Sequence, residues 1–179
     1  APHKFACVSG DAADYHDMLS GLAVTDAVDY GGHVVMEFGE QMRISFNDGV
    51  NMRLLQPGTK LPAKHQLLLE FDDHSHLVCS VQMYAALMAY REGEYDNMYH
   101  TISMERPSPL TDAFDKAYFL ALYDGEKPTL SAKAMLATEQ RIPGLGNGVL
   151  HATLLNAGIH YKRKLSSHGY DLTLIHIPE

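Results

Sequence analysis

Turn-forming residues recur so often between positions 31 and 75 that no long helix fits among them. Gly31-Gly32, Gly39-Glu40, Asn47-Asp48-Gly49, Pro57-Gly58 and Asp72-Asp73-His74-Ser75 leave only segments of strand length between them. His33–Phe38 and Gln41–Phe46 flank Gly39-Glu40 as a predicted hairpin, and Val50–Leu55 reads as the next strand. Pro57-Gly58 and Leu61-Pro62 mark a loop. Gln66–Phe71 and His76–Val81 then form a second predicted hairpin. Val24–Tyr30 is expected to be extended, Lys4–Ser9 is a short candidate strand, and Met83–Tyr90 either extends the sheet or turns away from it. Ahead of these strands, Tyr15, Met18, Leu19 and Leu22 share one face of a helix predicted over Asp11–Leu22, with Gly21 near its end. Many short strands with frequent turns predict an antiparallel sandwich or barrel.

The pattern changes at Pro107-Ser108-Pro109. Phe114, Tyr118, Phe119 and Leu122 have helical spacing and predict a helix over Asp112–Tyr123. A further helix is predicted over Leu130–Thr138, with Ser131 as its N-cap and Ala134, Leu136 and Ala137 available for packing. Arg141–Gly146 then turns the chain twice. The next helix has Asn147 as its expected N-cap and Gly158 as the residue that stops it. The fold class expected is α+β: an N-terminal antiparallel β-sandwich over residues 1–105, a small helical domain over 106–165, and an unassigned tail over 166–179.

The 179-residue chain has a net charge of −8, which argues against a surface coated with nucleic-acid contacts. The charge is uneven, however. Between Lys133 and Lys164 the basic residues are Lys133, Arg141, Lys162, Arg163 and Lys164, and the only acid is Glu139. Salt screens charges beyond about 8 Å, so a local basic face can hold phosphate on an acidic protein. Gly144, Gly146 and Gly148 around Asn147 add a glycine-lined helix start, where free N–H groups and the helix dipole attract anions. An ordinary capped core helix accounts for the same residues equally well.

Other chemistry finds little support. No apolar run approaches the roughly 20 residues that span a bilayer. Cys7 and Cys79 are far apart and form no zinc motif, and they fit a reducing compartment. His65, His74 and His76 lie near one hairpin, but their spacing does not match two ligands on a helical face, and exposed turn histidines are the expectation. Asp72-Asp73 and the pair Glu92 and Glu94 lie in turn-like contexts that favour solvated carboxylates over acid–base catalysis. A GxSxG elbow, a Walker loop and a dinucleotide fingerprint are all absent.

The order helix, Ile142–Asn147 (IPGLGN), helix ending Asn156–His160 (NAGIH), then Lys162-Arg163-Lys164 resembles the helix–two-turn–helix module of the formamidopyrimidine-DNA glycosylase and endonuclease VIII family. Lys64-His65 before a hairpin, Val81-Gln82-Met83-Tyr84 at its far end, and Pro107–Phe114 fall in the same family order. The resemblance runs from the first strand to about Lys164. It implies base-excision repair, in which a damaged base is flipped out, its glycosidic bond is cut and the strand is cleaved at the abasic site. It also implies that the amine of an N-terminal proline acts as nucleophile through a Schiff base, with an adjacent glutamate in acid–base steps. Asn147 matches the asparagine that contacts a phosphate near the lesion.

The departures from the family pattern are specific. The chain opens Ala1-Pro2-His3-Lys4, so Pro2 is neither terminal nor followed by glutamate and is not assigned as nucleophile. Gly32-His33 stands where many relatives have a lysine. Met83 and Tyr84 stand where many have the arginine and phenylalanine that fill the gap left by the flipped base; Tyr84 can wedge into the stack and Met83 can fill volume. The family's C-terminal zinc finger is missing. The expectation is therefore a chain truncated at both ends that keeps the DNA-binding scaffold without the catalytic residues, with no cofactor and no metal. A non-catalytic nucleic-acid-binding module is the alternative. The expected DNA-binding residues are Lys64, Met83, Tyr84, Gly146, Asn147, Gly148, Lys162, Arg163 and Lys164. The expected partner is double-stranded DNA with a damaged or abasic site, bound by a cytoplasmic monomer without membrane attachment.

Overall fold

The computed structural model describes residues 11–81, 85–123 and 129–165. Within them the protein is mixed α and β, with antiparallel sheets and five α-helices. The chain divides into two compact units between Asn97 and Met98, ahead of the boundary expected near 105. The expected strand over Lys4–Ser9, residues Met83 and Tyr84, and the tail after 165 lie outside the described residues.

In the first unit Asp11 accepts the Ala13 N–H at 3.0 Å and starts a short 3₁₀ turn that runs into helix α1 (Tyr15–Leu19). Gly21, at φ +79°, reverses the chain after it. Strands β1 (Val24–Asp29), β2 (His33–Phe38), β3 (Met42–Asn47) and β7 (Leu87–Arg91) make a four-stranded sheet in the order β1-β2-β3-β7. Strands β4 (Val50–Leu55), β5 (Leu67–Glu70) and β6 (His76–Val81) make a three-stranded sheet in the order β4-β6-β5. All pairings are antiparallel. The turn at Asn47–Gly49 thus passes the chain from one sheet to the other instead of closing a hairpin.

Alternation along the strands builds one core between the sheets. Met42, Ile44 and Phe46 of β3 point into it with Phe38, Leu87 and Ala89. Cys79, Leu67, Leu69 and Leu77 come from the other sheet, and Tyr15 and Leu19 of α1 complete the cluster. Ile44 and Cys79 are fully buried, and burial of a large apolar side chain such as Ile44 stabilises the fold by about 1.5–3 kcal/mol. Strands β3 and β7 also bury their other face, where Ser45, Met88 and Tyr90 lie. The Tyr95 ring packs there with its centroid 4.8 Å from that of Tyr90.

The second unit opens with helix α2 (Met98–Glu105), which the sequence pattern does not announce because its buried residues are the polar His100 and Ser103. Helix α3 (Lys116–Ala121) is shorter than the predicted Asp112–Tyr123. Asp115 caps it by accepting the Tyr118 N–H at 2.7 Å, so residues 112–114 lie outside the helix. Helix α4 (Ala132–Ala137) begins at Ser131 as expected, the hydroxyl accepting the Ala134 N–H at 3.1 Å. Helix α5 (Asn147–Asn156) buries Leu150 and Leu154 against Met135, Leu136 and Ile142, with Phe114 and Phe119 packed on the same cluster. No helix among the described residues is long and apolar enough to cross a membrane.

Candidate nucleic-acid interface

The connection between α4 and α5 contains two tight turns, one closed by the Arg141 N–H on the Thr138 carbonyl (3.3 Å) and one by the Leu145 N–H on the Ile142 carbonyl (3.2 Å). Glu139 and Gln140 both adopt left-handed backbone, at φ +57° and +49°, a conformation that costs a non-glycine residue about 1–2 kcal/mol. Two arginines hold this turn. Arg106 Nη1 donates to the Gln140 carbonyl at 2.8 Å and the Glu139 carbonyl at 3.2 Å. Arg141, only 7% exposed, donates to the Met135 carbonyl (3.2 Å), Thr138 Oγ1 (2.7 Å) and Glu139 Oε2 (2.9 Å). Arg141 is therefore a cap for the C-terminal carbonyls of α4 and not, as its place in the basic run implies, part of the exposed positive face.

These turns deliver the chain to α5 with its N-terminus open. Asn147 is the first helical residue and not the N-cap; Gly146 takes that position, at φ −73° and ψ 156°, and no side chain caps the helix. The physical consequence is useful. An N-cap asparagine spends its carboxamide on its own helix, whereas Asn147 leaves it exposed beside uncapped N–H groups. Gly146 and Gly148 are exposed too, and a Cβ built on either would meet no atom within 4 Å. At the other end Gly158, at φ +66°, ends the helix. Its N–H reaches the Leu155 carbonyl at 3.0 Å and the Ile159 N–H reaches the Leu154 carbonyl at 2.8 Å, a complete Schellman closure.

That closure turns residues 161–165 back along the start of α4. Lys133 N–H donates to the Tyr161 carbonyl (3.1 Å), Ala132 N–H donates to the Arg163 carbonyl (2.8 Å), and Ser131 bridges to Lys164. The exposed Lys162, Arg163 and Lys164 are thereby fixed next to α4. Sequence reasoning missed three residues of this surface, His151, His160 and Tyr161, and counted Lys133 only as part of the basic run. His151 lies one turn after Asn147 on the same side of α5, and its Nε2 is 3.3 Å from Lys133 Nζ. The Tyr161 ring is 5.6 Å from His151 and stacks on His160 at 4.6 Å, and Lys162 Nζ stands 5.6 Å from the Tyr161 ring centre. The i, i+4 relation of Asn147 and His151 is a signal visible in the sequence; the return of Tyr161 to Lys133 is not.

The remaining expected residues lie elsewhere. Lys64 is exposed on the loop before β5, in the first unit. Met83 and Tyr84 lie outside the described residues. His74 is exposed as expected, with Nδ1 3.7 Å from Glu70. His76, by contrast, is the first residue of β6, with a side chain only 16% exposed and Nε2 4.0 Å from Glu70. No group of three or more His, Cys, Asp or Glu side chains placed to hold a metal occurs among the described residues. Burial holds the His33 imidazole below its ordinary pKa and pushes the Cys79 thiol up to about 11.

Solved structures share this fold. The Lactococcus lactis FPG (MutM) protein in complex with a FAPY-dG-containing DNA matches with a TM-score of 0.72 at 18% identity, over 90% of this chain and 61% of that one. MutM in complex with carbocyclic 8-oxo-G-containing DNA matches at 0.71 and 19%, over 90% and 62%. The LlFpg protein with a THF-DNA and an inhibitor matches at 0.71 and 18%, over 90% and 61%. The chain spans about three fifths of the length of these proteins, and at such identity the likeness establishes a shared fold. No protein-family model matches the chain, and no curated protein sequence matches it.

Proposed function

We propose that this chain binds duplex DNA containing a damaged or abasic site, in the base-excision repair setting of a DNA glycosylase/AP lyase. Residues 132–165 serve as its helix–two-turn–helix module. The observation that carries the reading is the open start of α5, where Gly146, Asn147 and Gly148 are exposed with nothing packed over them. A phosphate oxygen there accepts from uncapped N–H groups and from the Asn147 carboxamide, with the helix dipole adding attraction. Lys133 lies against His151, one turn on from Asn147, Lys162–Lys164 run beside the start of α4, and the only acid between residues 133 and 164, Glu139, is engaged by Arg141. Such backbone contacts carry no sequence information; they set the register of the protein on the duplex. The shared fold with proteins solved in complex with lesion-containing DNA supports the same reading.

No catalytic residue is assigned. An amine nucleophile that attacks the abasic sugar forms a Schiff base, which borohydride reduces to a stable adduct. The test pairs this trap with equilibrium binding to two duplexes, one intact and one carrying an abasic-site analogue. Tighter binding to the lesion duplex, weakening as salt rises, is the expected result. A trapped adduct assigns lyase chemistry to the chain, and its absence alongside lesion-selective binding assigns a binding module. Equal and salt-insensitive affinity for both duplexes overturns the proposal.

A further inference from the structure

We infer that Lys133 and His151 form a second phosphodiester subsite beside the start of α5, and that filling it draws a proton from solvent onto His151 Nε2. The inference rests on the reading that α5 approaches a DNA backbone. His151 follows Asn147 by four residues, so the two share one face of α5 about 6 Å apart along the axis. The DNA-facing strip started by Asn147 therefore continues onto His151 and Lys133.

The chemistry follows from the contact already present. Lys133 Nζ lies 3.3 Å from His151 Nε2. In that contact the ammonium donates and Nε2 accepts, an arrangement that suits the neutral ring with its hydrogen on Nδ1. When a phosphate oxygen arrives, the ammonium can turn to it at once. The imidazole joins once Nε2 carries a hydrogen, and the form that an anion favours is the imidazolium, in which both ring nitrogens donate. The groups facing the ring are Lys133 from α4 and Tyr161 from the returning segment, with His160 and Lys162 beyond it. Among the described residues, no carboxylate forms an ion pair with His151, and Glu139 is held by Arg141. The incoming phosphate is then the anion that stabilises the imidazolium, and proton uptake accompanies binding.

The sign is fixed by linkage. Binding that takes up one proton strengthens as pH falls, by up to about tenfold per pH unit. The extra ionic contact also steepens the salt dependence, by up to about 0.9 in log K against log salt. The experiment measures affinity and proton uptake by calorimetry, in buffers of different ionisation enthalpy, with a duplex oligonucleotide and with inorganic phosphate at equal phosphate concentration. Wild type is expected to take up a measurable fraction of a proton with the duplex, and to bind it more tightly as pH falls. His151→Gln, at an exposed site where folding is not at stake, is expected to lose the uptake and the pH dependence, whereas His160→Gln keeps both. Uptake that persists in His151→Gln overturns the subsite. Equal uptake with inorganic phosphate overturns its assignment to DNA. Salt-sensitive duplex binding that depends on Asn147 but has no proton linkage overturns the subsite while leaving the proposed function standing. No duplex binding at any pH overturns both.

Discussion

Replacing Arg141 by alanine separates two roles that its position in a basic run confounds. Arg141 is 7% exposed, and its guanidinium donates to the Met135 carbonyl, Thr138 Oγ1 and Glu139 Oε2. Hydrogen bonds from a charged donor contribute about 1.5–3 kcal/mol each when buried, and less where water reaches. Glu139 is 73% exposed, so that ion pair adds little. The Met135 and Thr138 bonds dominate, and truncation also frees the left-handed Glu139–Gln140 turn to relax. We expect a loss of roughly 2–4 kcal/mol, a large fraction of a small domain's margin of about 5–15 kcal/mol. For a unit of this size that corresponds to a fall on the order of 10–20 °C in its midpoint. Arg141→Lys is expected to recover little, because one ammonium cannot replace a planar fork that reaches four acceptors. The assay is thermal and urea unfolding of the whole chain by circular dichroism, followed by duplex binding below the transition. Arg141 touches no open surface, so the folded variant keeps the wild-type salt slope of binding. A variant with unchanged stability and a shallower slope would refute the cap and make Arg141 a phosphate ligand.

Three further outcomes follow from the same packing. Gly158→Ala meets no steric obstacle but forces alanine to φ +66°, and it is expected to lower stability by about 1 kcal/mol in urea unfolding; an unchanged midpoint would show that the Schellman closure is not strained by a side chain. Burial depresses the His33 pKa, so the unfolded chain binds this proton more readily than the folded one. Its contribution to stability is complete above the ordinary imidazole value of about 6.5 and falls away as pH drops toward the depressed folded value. His33→Gln is expected to flatten that decline, and an identical pH profile would contradict it. Cys79 is fully buried with its thiol pushed up to about 11, so in a Cys7→Ser background alkylation is expected to require unfolding and to accelerate with urea; prompt reaction of the native protein would show an open route to the sheet interface.

Elements whose pattern is local are legible in the sequence. The hairpin of β5 and β6 and the alternation of Met42, Ile44 and Phe46 follow from period-two burial, and Ser131 and Gly158 act as cap and stop by their own chemistry. What depends on distant partners is not legible. The segment Val50–Leu55 reads as a strand, but only the fold shows that it pairs with β6 instead of β3. Helix α2 buries a histidine and a serine, so no apolar stripe marks it. In the interface, the open helix start at Gly146–Gly148 and the basic cluster are visible as composition, but two assignments shift by physical detail. Asn147 moves from cap to exposed donor because Gly146 can occupy the cap, and Arg141 moves from surface to interior because the α4 carbonyls need a donor. Lys133 and His151 are far apart in sequence and meet through the packing of α4 on α5, and Tyr161 joins them only when the Schellman turn brings residues 161–165 back to α4.

The slope of duplex affinity against salt, measured for wild type and for Asn147→Ala, bears on the interface itself. Asn147 is uncharged, so its loss is expected to weaken binding roughly tenfold, as removal of one hydrogen bond to a charged group does, while the slope set by Lys133 and Lys162–Lys164 stays the same. Affinity and slope both unchanged in Asn147→Ala would place the DNA on another surface and contradict the interface described above.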